Sequence, residues 1–304
     1  MSGYDAGFLG VGADGGRAGD GSSGGGGTSG SVGGVPLPGP REDAAGRIRR
    51  LDYVHFTVLL DAERRLAAAT GVNIDGGSLL DLGRGDDWHL DERVDAAEQA
   101  GPELYAQNDL DRGHLVRRRD PVWGDVELAS QANFDTFSYP NAAPQAAEFN
   151  QSLELWNGLE NLVLAYASVN RLRLSVFTGP VFGDDDVQYR GVRIPKLFWK
   201  VAAWASGGRL RASGYLLDQS PQLGGIDLGE RVAGGLARVD EAPDAPPPLG
   251  AFRTFQVPVA DLGELTGLDF GPLVGADVLA PVAASVALHR DVWIELTDAG
   301  QLRF

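Results

Sequence analysis

The chain has 304 residues, 43% of them hydrophobic and 22% charged, which is enough apolar surface for one large domain or two small ones. Its formal net charge of −16 excludes a generally basic nucleic-acid-binding surface, so any attraction for phosphates must come from a local patch. It contains no cysteine, which excludes disulfides and thiolate metal sites and permits either redox compartment.

Arginine carries nearly all the positive charge, since Lys196 and Lys200 are the only lysines. No basic start followed by an apolar run marks a signal peptide, and no stretch reaches the ~20 apolar residues of a membrane span. The expectation is a protein without a membrane segment, cytoplasmic or exported by a route that needs no visible signal.

Residues 1–9 carry two aromatics, Tyr4 and Phe8. They lead into a glycine- and serine-rich stretch, Gly10 to Gly34, with too few apolar side chains to offset its ordering entropy. Residues 1–40 are therefore expected as a flexible N-terminal segment and 41–304 as one folded domain. Leu51 to Leu60 alternates β-branched and aromatic residues and predicts a strand. From Arg64 to Ile74 the alanines favour helix, while the turn at Asn73-Ile74-Asp75-Gly76-Gly77 favours an end to a strand.

A polar stretch follows with Arg84-Gly85-Asp86-Asp87-Trp88 and Asp91-Glu92-Arg93. Next comes Asp111-Arg112-Gly113-His114, then the basic run Arg117-Arg118-Arg119. These residue types suit work on a phosphodiester. Histidine can take a proton from water near neutral pH. Arginine forks match phosphate oxygens and stabilise the charge of a phosphoryl transition state. Glycine lets a backbone approach its neighbours closely.

Leu153, Trp156, Leu159, Val163 and Tyr166 recur at three- and four-residue spacing and predict a helix over 145–169. Asn150 stands just before this apolar run, where an N-cap would sit. Arg171 to Thr178 alternates as a strand that stops at Gly179-Pro180. Gly183-Asp184-Asp185-Asp186 reads as a solvated acidic turn rather than a metal loop. Further strands are expected over 196–204 and 210–217, and Ala242 to Pro248 is a surface connection.

The ordered set of motifs resembles the non-specific DNA/RNA endonucleases of the ββα-metal superfamily, which includes endonuclease G. The resemblance rests on the D-R-G-H motif at 111–114, Asn141-x-x-Pro144-Gln145, Asn150-Gln151, Trp156-x-x-Leu159-Glu160, and Thr178-Gly179-Pro180, and it spans roughly 41–304. It implies an α+β fold, a central antiparallel sheet flanked by helices with a ββα-metal (His-Me finger) active site. It also implies that 64–74 is the second strand of a hairpin, and that Tyr4-Asp5 and Phe8-Leu9 dock on the domain across the glycine-rich stretch.

The same resemblance implies the chemistry. His114 would be the general base, Arg112 would stabilise phosphate charge, and Arg84, with Arg93 the second choice, would assist catalysis. Asn150 would hold Mg²⁺, for which Mn²⁺ can substitute. Arg117, Arg118 and Arg119 would help the substrate strand approach, and Asn141, Pro144 and Gln145 would be scaffold for the asparagine loop. His55, His89 and His289 are expected to be structural.

The acidic partner departs from the usual spacing of eight residues after the asparagine, because Glu160 lies ten after Asn150. On a continuous helix that is a rise of roughly 15 Å and a turn of about 80° off the asparagine's face. Glu160 is the expected site residue, acting through water, with Glu154 as the alternative on Asn150's own face.

The implied function is metal-dependent hydrolysis of DNA and RNA without sequence specificity, with a homodimer left open. Two other readings stand beside it. One is a catalytically weak nuclease fold that binds nucleic acid or protein; the other is a phosphodiesterase for a different phosphorylated substrate.

Overall fold

The computed structural model describes residues 3–11, 34–41, 46–146, 167, 169, 171–223, 253–279, 288–296 and 301. In chain order the strands are β1 (Gly39–Pro40), β2 (Ile48–Asp52), β3 (Phe56–Asp61), β4 (Leu66–Asp75), β5 (Leu110–His114), β6 (Ala142–Ala146) and β7 (Arg173–Val181). Then follow β8 (Val187–Tyr189), β9 (Val192–Ile194), β10 (Leu197–Ser206), β11 (Arg209–Asp218), β12 (Arg253–Val257), β13 (Leu268–Asp269) and β14 (Ile294–Leu296). Among the described residues, eight of them form one sheet in the order β14-β12-β11-β10-β7-β4-β3-β2, with every neighbouring pair antiparallel.

Both faces of this sheet are covered, so its central strands are apolar on both sides instead of alternating with polar residues. Strand β10 shows how. Phe198, Ala202 and Trp204 enter one core with Phe56, Val72, Val176 and Leu217. Trp199, Val201 and Ala203 enter the other with Phe177, Leu216, Val259 and Phe270. The first core is roofed by the two-stranded ladder of β5 and β6, through Leu115, Val116, Ala143 and Ala146. The second is closed by the helices Val259–Thr266 and Pro272–Gly275 and by the N-terminal residues.

Tyr4, Leu9 and Val11 are buried in that second core. Tyr4 donates its amide N–H to Thr57 Oγ1 at 2.8 Å and its hydroxyl to the Val35 carbonyl at 2.8 Å. The Asn73 side chain takes both backbone groups of Asp5, accepting from its N–H at 2.7 Å and donating to its carbonyl at 3.2 Å. Phe8 packs against Trp123 at 5.6 Å under the Arg173 guanidinium. Residues 3–11 and 34–40 are thus tied to the fold, as the resemblance implied for Tyr4-Asp5 and Phe8-Leu9, and the expectation of a flexible segment does not hold for them.

Three expectations are corrected. Leu51 to Leu60 is two strands, β2 and β3, turned back at His55, which adopts φ +66°. No glycine or proline marks that turn; it is held by the Asn73 N–H on the His55 carbonyl and by His55 Nδ1 against Pro121 O. Strand β7 does not stop at Gly179-Pro180 but runs through it to Val181. Its pairing with β4 ends at Thr178, so the missing N–H of Pro180 lies where β7 has only β10 beside it. Finally, Gln145 belongs to β6 and not to a helix start. Ala167 and Val169 are helical, but the rest of the expected helix, with Asn150, Glu154 and Glu160, lies outside the described residues.

The acidic turn at 183–186 is a turn. Asp185 pairs with Lys196 at 2.6 Å, and Asp186 accepts the Gly183 N–H at 2.9 Å. Among the described residues no helix is long and apolar enough to cross a membrane.

Candidate active site

The Asp111-Arg112-Gly113-His114 motif forms most of strand β5, paired with β6 in the register His114↔Ala142, Gly113↔Ala143 and Asp111↔Gln145. Alternation sends Arg112 and His114 to one face and Gly113 to the other, toward the core. Gly113 leaves room for the Gln145 side chain, which lies across it from the partner strand and would have to move if a Cβ stood there. Just beyond β5, Asn141 fixes the return of the chain. Its amide accepts the Val116 N–H at 2.8 Å and donates to the carbonyls of Val116 and Thr136, both at 2.9 Å. The expected scaffold residues therefore act directly on the strand that carries His114.

The His114 ring is half-buried in an aromatic wall. Trp88 lies 4.7 Å from it, and Phe137 meets it edge-on at 5.1 Å. Trp88 also touches Phe137 and Tyr139. The segment carrying Trp88 is held by backbone pairing, His89 N–H to Phe137 O at 3.1 Å and Tyr139 N–H to His89 O at 2.9 Å. The Nε2 atom of His114 is covered and has no hydrogen-bond partner. Leaving such an atom unpaired costs on the order of 1–3 kcal/mol.

Charge surrounds the ring on one side. Burial first, then the guanidinium charges of Arg84, Arg118 and Arg112, push the His114 pKa down to about 3. Arg112 sits over Trp88 at 5.3 Å. Arg118 is anchored by Nη1 to Leu82 O at 3.0 Å and to Asn133 Oδ1 at 3.1 Å. Its own pKa is lowered by burial and by Arg119 and Arg84. Arg119 points to solvent beside Asp81 at 3.4 Å, and Arg117 is half-buried.

The structure separates the two candidate assisting arginines. Arg84 is exposed and close enough to act electrostatically on His114. Arg93 is committed elsewhere: it pairs with the buried Asp91 at 2.6 Å, donates to Asp52 O at 2.8 Å and lies over the Tyr53 ring. The other histidines have ring contacts of their own. His55 stacks on Trp123 at 3.5 Å, and His289 bonds Asp261 at 2.8 Å. His89 stacks on Phe134 at 4.4 Å. Sequence reasoning named Trp88 but missed the wall it forms with Phe137, whose other trace was the aromatic spacing Phe134, Phe137, Tyr139.

Among the described residues, no group of three or more histidine, aspartate or glutamate side chains could hold a metal ion. What the described site offers is cations and one unprotonated imidazole, which fits an anionic substrate.

The chain is 42% identical over 250 residues to the uncharacterized protein y4fB of Sinorhizobium fredii, covering 79% of this chain and 36% of that protein. It is 32% identical to the mitochondrial endonuclease G of Bos taurus over 44% of this chain and 47% of that one. With the human enzyme the figures are 30%, 61% and 56%. The chain thus spans between about a third and just over half of these relatives. Its fold matches a chain from the crystal structure of an EndoG/EndoGI complex with a TM-score of 0.52, at 20% identity and over 74% of this chain and 86% of that one. The model of the DNA/RNA non-specific endonuclease family matches residues 41–277, and the chain belongs to that family.

Proposed function

We propose that this chain is a metal-dependent endonuclease that hydrolyses phosphodiester bonds of DNA and RNA without sequence specificity, with residues 41–304 as the nuclease unit. The observation that carries the reading is the unpartnered, covered Nε2 of His114, held neutral beside Arg84, Arg112 and Arg118. A neutral imidazole can accept the proton of an attacking water. With a pKa of about 3 it is a weak base, but part of that depression comes from the arginine charges. A substrate phosphate seated among them offsets those charges and raises the imidazole's proton affinity as the substrate arrives.

Arg112 and Arg84 stabilise the charge that builds on the phosphoryl oxygens, and Arg118 contributes its field from a fixed position. Arg117 and Arg119 guide the strand toward the site. Contacts made to phosphates carry no sequence information, in keeping with low specificity. Asn150 and Glu160, an amide and a carboxylate oxygen, would hold Mg²⁺ or Mn²⁺, with Glu154 as the alternative acid; such hard donors suit a cation that keeps most of its water. When bound, the ion would polarise the scissile phosphate and stabilise the leaving oxygen.

The test is to incubate the protein with supercoiled plasmid and with single-stranded RNA, in Mg²⁺ and in EDTA, beside His114→Ala. The expected result is cleavage of both in Mg²⁺, none in EDTA, and a loss of ~10²–10⁴-fold or more in the variant. Cleavage by His114→Ala at the wild-type rate would sink the assignment.

A further inference from the structure

Beyond the charged pocket, the wall behind His114 has a second side. Residues 88 and 89 alternate, so that Trp88 faces His114 while His89 faces away from it. The His89 imidazole lies flat on Phe134, at 4.4 Å and 6° between planes. Phe134 is 45% exposed and His89 half-buried, with the aliphatic Leu90 36% exposed beside them, so one stacked aromatic pair stands open to solvent. It is a firm surface. His89 is pinned by its backbone bonds to Phe137 and Tyr139, and Phe134 sits in the last turn of the helix Val126–Asp135. Asn133, next to Phe134, holds Arg118 at 3.1 Å, which joins the aromatic surface to the cations around His114.

We propose that the stacked Phe134–His89 pair is a nucleobase platform that makes the site favour unpaired strands over duplex, an inference that rests on the nuclease reading. A strand whose phosphate lies among Arg84, Arg112 and Arg118 and that runs on past Arg118 and Asn133 would bring a neighbouring base to the far side of the wall, where the pair lies. Bases of an unpaired strand can turn a π-face to an exposed ring, whereas bases in a duplex are already stacked on one another. Base–aromatic stacking is worth about 1–3 kcal/mol per base, or roughly 5- to 150-fold in affinity, and tolerates any base. It therefore adds strand preference without adding sequence preference.

The experiment compares wild type with Phe134→Ala, Phe134→Leu and Phe134→Trp. The readout is the ratio of kcat/KM on a single-stranded oligonucleotide to kcat/KM on the same sequence as duplex. The ratio should fall at least ~5-fold in Phe134→Ala and Phe134→Leu and be kept or raised in Phe134→Trp. An unchanged ratio in Phe134→Ala, or a wild-type ratio in Phe134→Leu, would overturn the platform. The same substitutions in a His114→Ala background, read as fluorescence anisotropy of a labelled single strand and duplex, give the ratio without cleavage. A platform that fails there while wild type still cuts leaves the nuclease intact; binding that shifts as expected in a protein that never cuts removes the nuclease reading alone.

Discussion

At the scale of single residues, His114 links chemistry to stability. Its pKa is depressed from the ordinary histidine value of 6.5 to about 3, so between those values the unfolded chain binds a proton that the folded chain refuses. The sign follows directly: the fold is undisturbed by this group above pH 6.5 and loses stability as pH falls toward 3. Urea unfolding of wild type and His114→Ala at pH 7 and pH 4.5 should therefore show the wild type losing more stability on acidification than the variant. Equal losses would show that the ring is not held neutral. The two arginines of the sequence reading separate at this scale as well. Arg84→Ala should cut the cleavage rate with the melting temperature unchanged, since the side chain is exposed. Arg93→Ala should lower the melting temperature, because it leaves the buried Asp91 carboxylate without its counter-ion, with only the Tyr53 hydroxyl and a backbone N–H to bond it. The reverse pattern would exchange their roles.

At the scale of elements, the N-terminal residues behave as part of the sheet's second core. Removing residues 1–11 exposes the surface that Tyr4, Leu9 and Val11 cover and leaves the Asn73 amide without Asp5. Each large apolar side chain buried is worth about 1.5–3 kcal/mol before the cost of ordering the segment. The truncated chain should thus be less stable by on the order of 2 kcal/mol, read as a lower midpoint in urea. A midpoint equal to that of the full chain would show that the docking contributes nothing. The elements that sequence periodicity misplaced share one cause. Strand β2 turns into β3 at a non-glycine residue, and β6 begins an apolar stretch whose spacing also suits a helix. In both cases tertiary hydrogen bonds decide the backbone: the Asn73 N–H donates to His55 O, His55 Nδ1 bonds Pro121 O, and the Ala146 N–H donates to Gln219 Oε1.

At the scale of the whole molecule, a net charge of −16 repels a polyanion at long range, while Arg84, Arg112 and Arg118 attract it locally. Attraction confined to a small patch should make kcat/KM on duplex DNA fall with added salt, with a slope of log kcat/KM against log salt of about −2 to −3 for roughly three phosphates neutralised. A slope near zero would mean that substrate is not recognised through these arginines.

What the sequence by itself determined was the local chemistry and the family. The Asp111-Arg112-Gly113-His114 motif, the Asn141-x-x-Pro144-Gln145 segment and the strands expected over 196–204 and 210–217 are all short-range patterns. A four-residue motif states which groups are available, and a short apolar run bounded by turn signals marks a buried strand. Only the tertiary structure decided which distant groups join them. Arg84 rather than Arg93 stands at His114 because Asp91 and Tyr53 hold Arg93 elsewhere. Trp88 and Phe137 wall the ring because the backbone of His89 pairs with Phe137 and Tyr139 across some 50 residues of chain. Gly113 makes room for Gln145, which lies over it from a strand about 30 residues further on. Long-range pairing and burial set these contacts, and neither leaves a periodic trace in the sequence.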